Sequence, residues 1–125
     1  MSAPRLNFFK ITVADAEEAA GFYVEALGMT RRDVIDTPGF REIMLTCGDA
    51  PFTLVLFEWK DGRAIKHGTN YGPLGFLTRD LEATLAMLVE NGAKPKGAVA
   101  EFGSMRIAFA TTPHGHEIEL MQRAG

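Results

Sequence analysis

The sequence predicts an α+β fold made of two βαβββ modules in tandem. Three observations carry that prediction. Each half holds one helix-period segment that opens on an aspartate and closes on a glycine. Each of these segments follows one strand-like run and precedes three more. Sliding the chain on itself by 65 residues lays Asp15-Ala16-Glu17 on Asp80-Leu81-Glu82 and Arg41 on Arg106, with the elements in the same order.

In the first half, Phe8 to Val13 is rich in aromatic and β-branched residues and reads as a strand. Asp15 is an N-cap with Glu18 three residues on, a capping-box pair. Ala19, Phe22, Tyr23, Ala26 and Leu27 then recur at helical spacing, which makes Phe22 and Tyr23 core residues, and Gly28 stops the helix. Strands are expected over Thr30–Ile35, Phe40–Cys47 and Phe52–Trp59, punctuated by Pro38-Gly39 and by Gly48-Asp49-Ala50-Pro51. In the second half, Leu74–Thr78 is a short strand. Asp80 caps a helix bearing Leu81, Leu85, Leu88 and Val89, and Gly92 ends it. Lys96–Glu101, Met105–Thr111 and His116–Met121 complete the module, and the polar stretch Lys60–Gly72 joins the halves.

The chain's 125 residues, 46% apolar and 23% charged, are enough for a packed core without staples. A net charge of -3 with no basic stripe argues against nucleic acid as a partner, because phosphate neutralisation needs clustered Lys and Arg. The single cysteine, Cys47, can form neither an internal disulfide nor a thiolate metal site, and nothing cationic beside it in sequence would activate its thiol. No apolar run approaches the roughly 20 residues that span a bilayer, so no membrane partner is expected. Met1–Arg5 carries no hydrophobic signal segment, and a cytoplasmic setting is the expectation. Phosphate-binding loops, dinucleotide fingerprints and a nucleophile elbow are absent.

Two motif sets point to a family. They are Val13-Ala14-Asp15 followed by Phe22-Tyr23 and Leu27-Gly28, and the ending Pro113-His114-Gly115-His116-Glu117-Ile118-Glu119-Leu120. Together with the tandem βαβββ order, they resemble the vicinal oxygen chelate superfamily of glyoxalases, bleomycin-resistance proteins and extradiol dioxygenases. The resemblance covers nearly the whole chain. It implies a single glyoxalase-like domain, with module one over about 5–60, a linker over about 61–72 and module two over about 73–123. It implies that each module curls into a half-barrel, that the two form a cup with the helices outside, and that the protein is a homodimer. Metal-dependent members place one ligand on the first and last strands of each module. Alignment on the motifs puts Phe8, Leu54, Pro73 and Glu119 there. Only Glu119 could bind a metal, and one carboxylate is too few donors, so no metal or other cofactor is expected.

Strand alternation then suggests a lining for the cup. With Glu119 facing in, Glu117 and Met121 do too, and Arg106, Ala108 and Ala110 are expected across the hairpin. Ile107, Phe109, Ile118 and Leu120 are expected to pack on the helices. In module one the same logic faces Phe8, Lys10, Arg41, Ile43, Leu45, Leu54, Leu56 and Glu58 inward, and Phe9, Ile11, Val13, Val55 and Phe57 outward. The expected ligand contacts are thus Phe8, Lys10, Arg41, Leu54, Leu56, Glu58, Arg106, Glu119 and Met121. An apolar floor with a few cations suits an aromatic or aliphatic compound carrying an anionic group.

Glu119 could act as a general base, accept a hydrogen bond from a ligand, or balance Arg106. Arg41 and Arg106 could hold a ligand anion or pair with Glu58 and Glu119. His114 reads as a surface turn residue, His116 as pointing to the helix layer, and His67 as an exposed linker residue with a possible ligand contact. Trp59 could cap the cup mouth or a dimer seam. Three functions follow. The first is a metal-free small-molecule binder. The second is a metal-free lyase or isomerase with Glu119 as catalytic base and Arg106, Arg41 or Lys10 stabilising an enolate. The third is a metal-dependent lyase or dioxygenase recruiting His67, His116, Glu58 and Glu119.

Overall fold

A computed structural model describes residues 4–123; Met1–Ala3, in the segment read for a leader, lie outside the described residues. The chain runs β1 (Phe8–Thr12), α1 (Ala16–Leu27), β2 (Thr30–Asp36), β3 (Phe40–Thr46), β4 (Thr53–Trp59), β5 (Leu74–Leu77), α2 (Leu81–Glu90), β6 (Lys94–Phe102), β7 (Met105–Thr111) and β8 (Glu117–Arg123). It divides into two compact units, one ending at Ile65 and the other beginning at Lys66.

Each unit is a four-stranded mixed sheet with one helix. The strand orders are β1-β4-β3-β2 and β5-β8-β7-β6. The pairs β1·β4 and β5·β8 are parallel and the others antiparallel. Neither sheet closes on itself, and the α+β architecture of tandem βαβββ modules is the one the sequence predicts.

The helix starts are set by their caps. Asp15 has an extended backbone, and its carboxylate accepts from the Glu18 N–H at 3.1 Å; Asp80 does the same for the Ala83 N–H at 3.0 Å. Gly28 ends α1 at φ 67°, a conformation that glycine adopts without steric cost. A second tie fastens each helix to its sheet. The Ala16 N–H donates to Glu58 Oε1 at 2.8 Å, and the Leu81 N–H donates to Gln122 Oε1 at 2.7 Å. These are orphan N–H groups of a first helical turn, satisfied by side chains from the last strand of the same module.

Two strands differ from expectation. β6 begins two residues earlier than the pattern suggests and slips register between Lys96 and Ala100, where Gly97 takes φ 76°. β8 continues past Met121 to Arg123. In both cases strand pairing continues where the local sequence offers no alternation to read.

Candidate functional site

The helix-facing side of each sheet is fixed by contacts with the helix. In unit one, Arg41 on β3 pairs with Glu17 of α1 at 3.2 Å, and Glu58 on β4 caps α1. Ile43, Leu45, Leu54 and Leu56 alternate in step with these two and are buried. In unit two, Arg106 on β7 ion-pairs with Glu82 of α2, and Gln122 caps α2. Ala108, Ala110, Ile118 and Leu120 share that face and are buried.

Several expected positions are therefore corrected. Arg41, Leu54, Leu56 and Glu58 face helix α1, and Arg106, Ala108 and Ala110 face α2. None of them lies on the open face of its sheet. Val55 and Phe57, expected to pack on the helix, lie on the opposite, helix-free face with Lys10 and are nevertheless buried. Ile107 and Phe109 pair with Met121 and Glu119 on the open face of unit two. Phe8, Lys10, Glu119 and Met121 are on the open faces, as expected.

Two slips of one residue are the cause: across the β7–β8 hairpin Glu119 stands opposite Phe109, out of step with Arg106, and the equivalence between the units shifts on the last strand. Arg41 pairs with Glu58, whereas its counterpart Arg106 pairs with Gln122, so the connection between β3 and β4 is one residue longer than that between β7 and β8. A constant 65-residue offset therefore fails on the last strand. Val55, not Leu54, is the counterpart of Glu119. With period-two alternation, a slip of one residue inverts the face of every side chain.

The corrected open face of unit one is aromatic. Phe40 stacks on Phe57 with centroids 5.2 Å apart and planes 19° apart, and Phe57 meets Trp59 edge-on at 4.6 Å. Cations sit against this row. Lys10 Nζ lies 5.2 Å from the Phe57 centroid, and the Arg63 guanidinium lies 3.8 Å from that of Trp59. Lys10 also binds Glu42 Oε2 at 2.5 Å; Glu42, only 6% exposed, is a buried carboxylate that the sequence reading missed. Phe40 and Glu42 escaped notice because their strand was assigned to the wrong face. A cavity of about 150 Å³ opens where β1 and β4 end, lined by Thr12, Val13, Ala14, Trp59, Gly62, Arg63 and Ile65.

The open face of unit two carries Glu119, half-buried between Phe109 across the hairpin and Gly75 on β5. Among the described residues it has neither an ion-pair nor a hydrogen-bond partner. Arg106, expected to balance it, is held by Glu82, and this pairing keeps Glu82 below its ordinary acidity range. Arg41 is likewise engaged, by Glu17 and by Asp36 at 2.9 Å.

The histidines form a cluster of their own. The His67 and His116 rings are 5.0 Å apart, and burial, aided by the charges of His67 and His114, pushes His116 down to about 4. His116 is half-buried, and His67, exposed as expected, meets its ring. Cys47 is a free, exposed thiol.

The donor set can be tested against the superfamily's metal. The corrected positions are Phe8 and Val55 in unit one and Pro73 and Glu119 in unit two. The first three side chains have no N, O or S donor atom, so these residues do not fit a divalent ion. No other group of three or more His, Cys, Asp or Glu among the described residues is arranged to hold one. No helix among the described residues is long and apolar enough to cross a membrane.

Comparison with solved structures gives many matches. The trypanothione-dependent glyoxalase I of Leishmania major is 26% identical, with a TM-score of 0.82 over 96% of this chain and 87% of that one. TnmS3, an antibiotic-binding protein from Streptomyces sp. CB03234, is 28% identical, with a TM-score of 0.79 over 99% of both chains. A glyoxalase family protein from Bacillus cereus, 18% identical, has a TM-score of 0.88 over 100% of this chain and 97% of that one and supports the fold alone. A search of curated protein sequences gave no match. Residues 5–120 match the family described as Glyoxalase/Bleomycin resistance protein/Dioxygenase superfamily, and the chain belongs to it.

Proposed function

We propose that this chain is a metal-free small-molecule-binding member of its superfamily, a single glyoxalase-like domain that acts as a cytoplasmic homodimer. Its ligand is an aromatic compound bearing an anionic group. The observation that carries this reading is the helix-free face of unit one, where the half-buried Phe40 and the exposed Trp59 flank the buried Phe57 in one aromatic row edged by Lys10 and Arg63. The rings supply apolar area for a planar body, and Lys10 and Arg63, paired with Glu42 and Asp61, meet a ligand carboxylate or phenolate only by exchanging those partners. Phe8, exposed on the same face, offers a ligand contact but no metal coordination, and Val55 beside it is buried. The likeness to an antibiotic-binding protein over 99% of both chains supports binding as the role.

The test has two steps. Protein purified without chelator is assayed for metal and melted with added Mn, Fe, Co, Ni and Zn. No stoichiometric metal and no shift are expected, and a large shift with one ion would overturn the metal-free reading. Aromatic acids and amphipathic drugs are then screened by melting temperature, since a ligand bound only by the folded state raises it. A binder recovered unchanged is the expected result.

A second reading is favoured by one observation: Glu119 stands on an open face without an ion-pair partner. In a metal-free lyase or isomerase it would take a proton next to a carbonyl. Arg41 and Arg106, committed to carboxylates on the helix side, are withdrawn from the enolate-stabilising role. Loss of turnover with unchanged ligand binding in Glu119→Gln would support this reading, and unchanged turnover would exclude it.

A further inference from the structure

The chain's three histidines come together in the second unit. His67 lies in the segment that opens this unit, and His114 and His116 flank Gly115 in the turn between β7 and β8. The turn is braced by Thr112. Its Oγ1 accepts from the His114 and His116 N–H groups at 3.2 Å each, its carbonyl accepts from the Gly115 N–H at 3.0 Å, and its own N–H donates to the His116 carbonyl at 2.8 Å.

The segment docks on this turn through one ring. His67 and His116 meet edge to face, with planes 78° apart. Gly115, at φ 91°, leaves room for the His67 ring, and a β-carbon there would stand 2.7 Å from His67 Nε2. The Nδ1 atom of His116 is buried and has no hydrogen-bond partner. The charged groups acting on His116 are His67 from the docked segment and His114 from its own turn; no carboxylate contributes. Glu117, next in sequence, is bound by Lys96 of β6 at 2.5 Å. Helix α2 approaches the turn through Gly92 against the ring of Pro113, a contact without charge. Neutral imidazoles pack well edge to face, but two imidazolium ions this close in a partly dehydrated site repel each other.

We infer that the His67–His116 contact is an acid-released latch, which fastens the segment joining the two units to the β7–β8 turn and lets it go when His116 takes up a proton. The sign follows from linkage. His116 holds its proton less readily when docked than when free, so the released state binds more protons. The latch is at full strength above the ordinary histidine range and weakens as pH falls from about 6.5 toward about 4.

The test is backbone 15N NMR relaxation on the full chain at pH 7.5 and 5.0. The order parameters of residues 66–72 are expected to fall from about 0.8 toward about 0.6 or below at pH 5.0. In His116→Phe, which keeps a ring but takes no proton, they are expected not to change with pH. No fall in the wild-type chain, or the same fall in the variant, would overturn the latch. Should the variant fail to fold, histidine NMR titration of the wild-type chain and of His67→Gln decides instead. The His116 midpoint is expected well below 6.5 in the wild-type chain and higher by about half a unit or more in His67→Gln. An ordinary wild-type midpoint would overturn the latch.

Discussion

The two units solve one packing problem with different distributions of volume. In unit one Ile43 and Leu45 on β3 face an α1 that buries two large rings, Phe22 and Tyr23, among small alanines such as Ala16, Ala19 and Ala20. In unit two β7 is thin, with Ala108 and Ala110 at the equivalent places, and the volume comes from Ile118 and Leu120 on β8 and from Leu81 and Leu88 on α2. Both arrangements fill the layer between helix and sheet, because a close-packed interior constrains summed volume more than the side from which it comes. The polar frame around that layer is instead repeated. Asp15 and Asp80 cap the helices, Arg41–Glu17 and Arg106–Glu82 pin them to the sheets, and Glu58 and Gln122 hold their first turns. A duplicated backbone thus keeps its directional contacts while its apolar contacts drift.

The strongest way to break this comparison is to truncate one large buried side chain in each unit. Leu88→Ala in α2 and Leu45→Ala in β3, both fully buried, are each expected to cost about 2–5 kcal/mol in denaturant unfolding. The same truncation at the exposed Met87 should cost far less. The reverse change is smaller. Ala110→Leu overfills the layer that α2 already fills and should cost about 1–3 kcal/mol. A near-neutral result would mean that unit two has slack the volume argument denies.

Asp15→Ala and Asp80→Ala test the repeated frame. Each removes a side-chain acceptor from an orphan N–H and should cost about 1 kcal/mol, by equal amounts if the two caps are truly equivalent.

The smallest effect separates the units by pH. Glu17 is held below its ordinary 4.5 by the hydrogen-bonded Arg31, aided by Arg41, and Asp36 below its ordinary 3.8 by Lys60. Folded carboxylates with lowered pKa stabilise above the unfolded value, and that contribution fades as pH falls through the folded one. Unit one should therefore hold its hydrogen-exchange protection down to about pH 4.5, whereas the start of unit two, with His116, should loosen from about 6.5 downward. Parallel loss in both units would remove the distinction.

Most of the fold was legible locally. Asp15 and Asp80, the apolar residues at helical spacing behind them, Gly28, and the β-branched runs each point to one conformation through contacts within a few residues. Strand faces were not legible in this way. Arg41, Leu54, Leu56, Glu58 and Arg106 look like a charged, apolar ligand floor when the hairpins are counted from the turns, and one residue of register in the β7–β8 hairpin, with one residue of difference between two loops, turns them to the helices. A small residue such as Ala108 suits a cavity wall or the underside of a leucine-rich helix equally well.

The sequence by itself determined the order of elements, the helix ends, the tandem repeat and the absence of donor side chains at Phe8 and Pro73, because these depend on residue identity and short-range spacing. Only the tertiary structure decided that Val55 rather than Leu54 answers to Glu119, that Arg106 belongs to Glu82, that Lys10, Glu42, Phe57 and Trp59 share a face, and that His67 meets His116. Each of these depends on register between segments distant in the chain. Register is set by the free energy of the whole packed layer and by loop length, neither of which a single residue or its neighbours record.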